Sequence, residues 1–294
     1  MSLEVVPFFE TQSCTWSYLV ADRKSGAAAV IDPVWVYDPV SGRADDAFTK
    51  KILDRANERG WTVGWVLETH AHADHLSSGG LIRQLTGASV AIGRGIQQVQ
   101  QTFAVVYHLP DLPTDGRQFD RLLADGDEIE LGKLKVRVLE TPGHTSDSVS
   151  YVVEDAAFIG DTLFAPKAGT ARCDFPGGDA ARLFDSVQRL YKLPADTRLF
   201  LCHDYPAEGE DPRMMVTVAE SRRHNIHIQD STRPESFVAM RRARDAKLGM
   251  PKLILPAIQV NIVGGNPPAA EANGVSYLKI PFNTSIRDIL GKRP

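Results

Sequence analysis

The sequence predicts an α/β (α+β) fold in which two mixed β-sheets face each other and helices cover the outer faces. Two observations predict it. Apolar runs of strand length are mostly joined as hairpins, and amphipathic helical stretches lie between them in both halves of the chain. With 294 residues, of which 43% are hydrophobic and 24% charged, the chain can bury a full core. We therefore expect four layers in the order αββα.

The first half of the chain reads as hairpin, helix, strand, helix and strand. The segment WSYLVADRKSGAAAVIDPV predicts two strands joined at a turn over 24–26. A helix that ends near Gly60 follows, because four apolar residues recur at helical spacing: Phe48, Ile52, Leu53 and Ala56. TVGWVLE is a buried strand, followed by a short helix over 80–85 and the strand ASVAI. The stretch 96–121 is poorly patterned and is not assigned to an element.

The second half of the chain also has predicted hairpins followed by a helix and a strand. DEIELGKLKVRVLE and VSYVVEDAAFIGD are typical of hairpins, DAARLFDSVQRLY is a helix capped by Asp179, and TRLFLCHDY begins as a strand. The tail has one further helix in PESFVAMRRARDAKLG and then loops rich in proline and glycine. We predict a core over residues 1–232 and an extension over 233–294 packed on the same domain. The extension would cover the opening of a site in this core or, through LILPAIQVNIVGG, form a homodimer contact.

Charge and hydropathy disfavour several classes of protein. A net charge of -4 and the lack of a long basic stretch argue against a nucleic-acid partner. No apolar run reaches the roughly 18 residues of a membrane span, and the N-terminus lacks a basic segment before an apolar one, so we expect a cytoplasmic protein without a membrane partner. The three cysteines form no CxxC pair and indicate reduced thiols; they are Cys14, Cys173 and Cys202.

Histidine and aspartate side chains gather where predicted strands end. THAHADH follows the strand TVGWVLE, and His144, Asp161 and His203 follow other apolar runs, in TPGHTSDS, FIGDTLF and FLCHDYP. Because the ends of neighbouring strands meet at one rim of a sheet, these side chains can meet in space. Imidazole and carboxylate are ligands for zinc, iron and manganese. The pattern therefore predicts a metal site.

The residue types alone leave one metal ion or two open. If the side chains are grouped by which of them can reach a common ion, three histidines could hold one metal ion and a second set of three residues could hold another. Asp161 could bridge the two ions. The two sets are His70, His72 and His144, and Asp74, His75 and His203.

These motifs resemble the metallo-β-lactamase superfamily. THAHADH, GHT, GDTLF and HDY are similar to its HxHxDH motif, distal histidine, bridging aspartate and final histidine, over roughly residues 1–225. GTARCDFPGGDAARLFDSVQRLYKLPADTRLFLCHDY and FVAMRRARDAKLGMPKLILPAIQVNIVGG resemble the persulfide dioxygenase (sulfur dioxygenase) branch. The resemblance implies the four-layer αββα metallo-β-lactamase sandwich.

The resemblance also implies an activity in sulfur metabolism. The chain would be a glutathione-dependent persulfide dioxygenase, an oxidoreductase that converts glutathione persulfide, O2 and water to sulfite and glutathione at one non-haem iron(II) per chain. The implied iron ligands are His72, His144 and Asp161, a 2-His-1-carboxylate set with open positions. The other cluster residues would hydrogen-bond the ligands or bound water; they are His70, Asp74, His75 and His203.

Two residues are expected to contact glutathione. Arg172 would bind a carboxylate, because a guanidinium matches that group with two parallel hydrogen bonds, and Tyr205 would bound the pocket. For Cys173 we expect a packing or substrate-lining role. The sequence departs from the family at Asp147, where relatives often have glycine, and at His227, where some have arginine.

Two other functions remain open. A hydroxyacylglutathione hydrolase of the glyoxalase II type would use the same residues as a binuclear site to cleave a thioester without oxygen. A non-catalytic, metal-dependent binding or regulatory module would keep the site for structure. A nuclease is disfavoured because the chain is acidic overall.

Overall fold

The computed structural model describes residues 2–291, and the first half of the chain supplies one six-stranded sheet and its helices. The elements in chain order are β1 (Leu3–Glu10), β2 (Thr15–Asp22), β3 (Ala27–Ile31), β4 (Val34–Asp38), β5 (Arg43–Asp45), α1 (Ala47–Glu58), β6 (Thr62–Leu67), β7 (Leu76–Ser77), α2 (Gly79–Thr86), β8 (Ser89–Gly93), α3 (Ile96–Val106) and β9 (Arg121–Leu123).

The second half supplies the other six-stranded sheet, a 3₁₀ turn and the C-terminal helices. These elements are β10 (Glu128–Leu131), β11 (Leu134–Glu140), β12 (Val149–Val153), β13 (Ala156–Phe158), the 3₁₀ turn (Gly160–Thr162), α4 (Ala180–Tyr191), β14 (Arg198–Phe200), β15 (Met215–Thr217), α5 (Val218–His224), α6 (Pro234–Asp245), α7 (Ile254–Asn261) and α8 (Ile286–Gly291).

Both large sheets are mixed, as the sequence predicted. The first has the order β1-β2-β3-β6-β8-β9, and it changes from antiparallel to parallel pairing between β3 and β6. The second runs from β10 to β15 in sequence order, with one parallel pair, β13 and β14. Strands β5, β4 and β7 form a small third sheet.

Alternating side chains of the strands build the layers. In β2, Leu19 packs in a core that includes apolar residues of α1, α2 and α3, whereas Tyr18 and Val20 point into the core between the two sheets. A third core lies between the second sheet and α4. Three apolar interfaces thus separate four layers, and the αββα sandwich is confirmed.

Helix ends follow the local signals in the sequence. The Asp179 side chain accepts hydrogen bonds from the backbone N–H groups of Ala181 and Arg182, which caps α4. Helix α1 stops before Gly60, whose φ of +66° is one that glycine adopts without strain.

Several elements have no counterpart in the sequence analysis. Strand β1, the hairpin of β4 and β5, and helix α3 were not predicted, and α3 lies inside the stretch 96–121. The tail also contains α7 and α8 where loops were expected. Helix α7 has Pro256 as its third residue, a position in the first turn where proline is tolerated.

The C-terminal segment packs on both outer cores. Phe237 of α6 lies 5.7 Å from the Phe184 ring of α4, and Ile258 of α7 is fully buried in the core of the first sheet. The apolar face of LILPAIQVN therefore packs inside the chain, whereas the loop between α6 and α7 lines the cavity described below. No helix within residues 2–291 is long and apolar enough to span a bilayer.

Candidate metal centre

The candidate metal donors lie after the carboxyl ends of four strands. Residues 69–75 follow β6 of the first sheet, and His144, Asp161 and His203 follow β11, β13 and β14 of the second. Because these strand ends face one another across the sandwich, the two loops of THAHADH and FIGDTLF come into contact. Gly160 has a φ of +49°, and a Cβ there would lie 2.6 Å from Thr69 Oγ1. A larger residue would push the Asp161 turn away from the histidine loop.

Three side chains form a compact donor set that we call the first trio: His70, His144 and Asp161. Their ligand atoms lie within 4.8 Å of one another. Asp161 Oδ2 is 3.6 Å from His144 Nε2 and 4.0 Å from His70 Nε2. Two imidazoles and one carboxylate match the composition of a 2-His-1-carboxylate metal site.

Four side chains beside it form the second group: His72, Asp74, His75 and His203. Asp74 Oδ2 is 3.2 Å from His203 Nε2, and Asp74 Oδ1 is 3.4 Å from His75 Nδ1. Asp161 Oδ1 is 3.4 Å from His203 Nε2. The carboxylate of Asp161 therefore presents one oxygen to each donor set.

Backbone carbonyls fix which nitrogen of two rings faces the centre. His144 Nδ1 lies 2.7 Å from the carbonyl of Arg172, and His203 Nδ1 lies 3.2 Å from the carbonyl of Cys14. Since a carbonyl only accepts, Nδ1 carries the hydrogen in both rings, and Nε2 keeps its lone pair for a metal.

Asp32, which the sequence analysis did not single out, orients the rings of His70 and His72. Its carboxylate accepts hydrogen bonds from the N–H and the hydroxyl of Thr69, over 2.7 and 2.9 Å. The Thr69 hydroxyl then accepts from His70 Nδ1 over 3.0 Å, which leaves His70 Nε2 free. His72 donates its Nε2–H to Asp32 over 3.1 Å, so in this ring Nδ1 is the free nitrogen.

Unpartnered atoms at this centre provide a direct test of whether a metal fits. Within residues 2–291, five buried atoms of this centre that could bind a metal have no hydrogen-bond partner, although buried polar atoms normally have one. They are His70 Nε2, His72 Nδ1, His75 Nε2, His203 Nε2 and Asp161 Oδ1. Burial also lowers the pKa of His70 and of His72 well below the ordinary value, so both rings are neutral. Neutral imidazoles and carboxylates with free lone pairs fit a divalent metal ion.

The structure differs from the sequence analysis in the histidine that joins His144 and Asp161. The resemblance implied His72, whereas the donor within reach is His70. The reason is the hydrogen bond between His72 Nε2 and the buried Asp32, which leaves the ring among the donors of the second group. The ligand roles themselves stay predictions, and His70 replaces His72 in the set that we favour.

Two further polar residues hold the histidine loop. Asp147 accepts a hydrogen bond from the backbone N–H of Ala71 over 2.7 Å. Asn261 of α7 donates to the carbonyls of His72 and His75, over 2.8 and 2.9 Å. No sequence signal links Asn261 to the loop, because it lies 189 residues from His72.

A cavity of about 690 Å³ opens onto the metal centre, and His144, Asp161 and Tyr205 are among its lining residues. Tyr205 is 57% exposed, and its ring stacks on that of His203 with centroids 6.1 Å apart. The structure thus places Tyr205 at the cavity wall. Its contact with substrate remains a prediction.

Arg172 lines the same cavity, but its guanidinium already has partners. Nε and Nη2 donate to the Asp174 carboxylate over 2.6 and 2.7 Å, and Nη1 donates to the carbonyl of Gly249 over 2.7 Å. A substrate carboxylate would have to share Arg172 with Asp174. Cys173 is buried in the core beside α4, and burial raises the pKa of its thiol, as expected for a packing residue.

The fold and the donor motifs agree with one protein family. A family model described as the metallo-beta-lactamase superfamily matches residues 14–203. The chain belongs to this superfamily.

Particular relatives carry different names. A probable metallo-hydrolase of Burkholderia pseudomallei is 47% identical over 96% of this chain and 99% of its own length. A protein named Glyoxylase B2 of Dictyostelium discoideum is 43% identical over 96% of this chain and 97% of its own. The chain spans 64% of a Beta-lactamase hydrolase-like protein of Xylella fastidiosa, with 47% identity over 94% of this chain.

The resemblance to the persulfide dioxygenase branch is confirmed by two comparisons. Persulfide dioxygenase ETHE1, mitochondrial, of Bos taurus is 32% identical over 83% of this chain and 81% of its own length. The crystal structure of ETHE1 from Myxococcus xanthus aligns with a TM-score of 0.72 and 30% identity, over 90% of this chain and all of that one.

Proposed function

We propose that this chain is a glutathione-dependent persulfide dioxygenase. Glutathione persulfide, O2 and water would give glutathione, sulfite and two protons. Both atoms of O2 and the oxygen of water end in sulfite, and the electrons lost by sulfur reduce O2. One iron(II) per chain, held by His70, His144 and Asp161, would supply the redox chemistry that lets O2 react with a closed-shell sulfur compound.

The observation that carries the proposal is the first trio at the end of a large cavity. Two histidines and one carboxylate bind a metal through three protein atoms and leave positions for other ligands. The carbonyl of Arg172 fixes the hydrogen of His144 on Nδ1, so the lone pair of Nε2 is free to bind a metal ion. The similarity to Persulfide dioxygenase ETHE1 of Bos taurus supports a persulfide as the substrate and O2 as the oxidant. A 2-His-1-carboxylate set with open positions is typical of iron(II) oxygenases, which supports iron as the metal.

Aromatic side chains of the chain shield one side of the centre. Phe164 packs edge-on against the rings of His203 and Tyr205, with centroids 6.2 and 6.4 Å apart. These aromatic rings would keep bulk water from the reacting sulfur and orient glutathione persulfide along the cavity.

A second candidate function is a hydroxyacylglutathione hydrolase with a binuclear site. The observation that favours it is the complete second group, together with Asp161, which presents one oxygen to each set. Two metal ions bridged in this way can activate water for thioester cleavage. The relatives named metallo-hydrolase and Glyoxylase B2 are compatible with this chemistry.

Oxygen consumption separates the two candidates. The iron-loaded chain is given glutathione persulfide in an oxygen-electrode cell, and a glutathione thioester under nitrogen in parallel. We expect uptake of one O2 per sulfite formed and little thioester cleavage. Thioester turnover under nitrogen, without persulfide-dependent oxygen uptake in air, would replace the dioxygenase by the hydrolase.

A further inference from the structure

The turn between β1 and β2 lies beside the second group, at the edge of the catalytic cavity. Glu10, the last residue of β1, is paired with Thr15, the first residue of β2. Glu10, Ser13 and Cys14 line the cavity together with Asp74 and His75. The turn therefore brings polar side chains from the start of the chain to the metal centre.

A buried carboxylate holds this turn. Glu10 is only 6% exposed, and its Oε1 accepts a hydrogen bond from the backbone N–H of Gln12 over 2.9 Å. Its Oε2 accepts from the N–H and the hydroxyl of Ser13, over 2.7 and 2.6 Å. Cys14 has a φ of +56°, which residues other than glycine seldom adopt, so the turn depends on contacts that hold it. The Glu10 carboxylate supplies three of them.

The hydroxyl groups of Ser13 and Thr15 form a hydrogen-bond chain with one direction. Because Ser13 donates its hydroxyl hydrogen to Glu10, its oxygen accepts from the Thr15 hydroxyl, 2.8 Å away. A hydroxyl has one hydrogen and two lone pairs. At its other contacts, Thr15 Oγ1 can therefore only accept.

Those other contacts are two imidazoles of the second group. Thr15 is fully buried, and its Oγ1 lies 3.4 Å from His75 Nδ1 and 3.3 Å from His203 Nδ1. His203 Nδ1 also donates to the carbonyl of Cys14. The carboxylate of Asp74, 3.4 Å from His75 Nδ1, is an acceptor as well. His75 therefore carries its hydrogen on Nδ1, and Nε2, which is unpartnered within residues 2–291, keeps its lone pair.

The first trio has a similar arrangement. There the buried Asp32 accepts from the hydroxyl of Thr69, and that hydroxyl accepts from His70 Nδ1. In both places a buried carboxylate sets the direction of a hydroxyl group, and the hydroxyl sets which ring nitrogen carries the hydrogen. Glu10 acts through two hydroxyls where Asp32 acts through one.

We infer that Glu10 and Thr15 are positioning residues of the metal centre. The Glu10 carboxylate, acting through the hydroxyls of Ser13 and Thr15, fixes the hydrogen of His75 on Nδ1 and leaves the lone pair of Nε2 available to the centre. The inference goes beyond the proposed function and holds for either candidate reaction, because both use the second group, to orient the metal site or to bind a second ion.

Nitrogen NMR of the histidine rings tests the tautomer of His75 directly. Spectra are recorded on the zinc-loaded chain, because zinc is diamagnetic, and again after the metal is removed. We expect the hydrogen of His75 on Nδ1 in both forms. Thr15→Val removes the acceptor with little change of shape, so the metal-free variant should show a mixture of both tautomers, whereas Thr15→Ser should match the wild type.

Two results of the NMR experiment would overturn the inference. One is a hydrogen on Nε2 of His75 in the wild-type chain. The other is an unchanged His75 spectrum in Thr15→Val, because Asp74 alone would then hold the ring.

Iron affinity tests the role of Glu10. Chelator competition under nitrogen should show that Glu10→Ala weakens iron(II) binding by about 2- to 13-fold, the range for one neutral hydrogen bond. Asp22→Ala is the matched control, because Asp22, at the other end of β2, is also buried and accepts from the N–H of Lys24 and the hydroxyl of Ser25 in a turn. Both variants should lose stability in urea, but Asp22→Ala should keep the wild-type iron affinity.

Equal iron affinities of Glu10→Ala and Asp22→Ala would restrict Glu10 to the stability of its turn and refute the positioning role. Neither the tautomer nor the affinity depends on turnover. A failure to consume oxygen with glutathione persulfide would therefore overturn the proposed reaction and leave this inference standing.

Discussion

The first trio and the second group have similar donors but different internal contacts. In the second group, Asp74 lies at ion-pair distance from two imidazoles, 3.2 Å from His203 and 3.4 Å from His75. In the first trio, Asp161 Oδ2 lies 3.6 Å from His144 Nε2 and 4.0 Å from His70 Nε2. The second group thus holds its carboxylate closer to its imidazoles, whereas the first trio has the composition of a 2-His-1-carboxylate site. This composition is the reason that we propose the single iron at the first trio.

The largest effect expected from this comparison is loss of metal from variants of the first trio. His70→Ala, His144→Ala and Asp161→Ala should each lose bound iron and oxygen uptake together, because three protein ligands leave little redundancy. Metal analysis of the purified variants measures this. His72→Ala is the matched control, because the His72 ring lies in the second group. If His72→Ala loses its iron while His70→Ala keeps it, the trio is wrongly assigned.

A smaller effect is expected from the second group. His72→Ala, Asp74→Ala and His203→Ala should retain iron and lower metal affinity or turnover by about 10- to 100-fold, as for residues that orient a metal site without binding the ion. Competition with a chelator gives the affinities. Complete metal loss from His203→Ala, equal to that from His144→Ala, would indicate a binuclear site instead.

A third prediction concerns Asn261, which belongs to neither donor set but holds the histidine loop in place. Asn261→Ala removes two hydrogen bonds to the carbonyls of His72 and His75 and one from the N–H of Ser77, all of them buried. We expect a loss of about 2–4 kcal/mol in the free energy of unfolding and weaker metal binding. Urea denaturation and metal titration measure the two effects.

Asn266→Ala is the control for that variant, because the Asn266 side chain donates only to carbonyls of its own loop, Val263 and Gly264. Equal stability losses in the two variants, with unchanged metal affinity, would mean that α7 does not position the histidine loop.

The fold was largely predictable because its elements carry local signals. The hairpin of β2 and β3 has a turn between two apolar runs, and α4 begins at the capping residue Asp179. Helix α3 was missed although Ile96, Val99, Phe103 and Val106 recur at helical spacing, and the proline of α7 suggested a loop. The cluster of donors was predictable for the same reason, since each donor follows an apolar strand.

The partition of the donors was not predictable from spacing. His70 and His72 are two residues apart, and the difference between them arises from Asp32, which bonds Thr69 on one side and His72 on the other. The contacts of Asn261 likewise depend on where α7 packs, which no local pattern records.

Iron stoichiometry tests the central claim most directly. The metal-free chain is titrated with iron(II) under nitrogen, and each sample is then mixed with glutathione persulfide and air-saturated buffer while oxygen uptake and sulfite are followed. A dioxygenase with iron in the first trio should reach full activity at one iron per chain, and zinc in its place should give no oxygen uptake, because zinc has no accessible redox state. Activity that rises until two ions are bound, or a zinc-loaded chain that cleaves a glutathione thioester, would contradict the account.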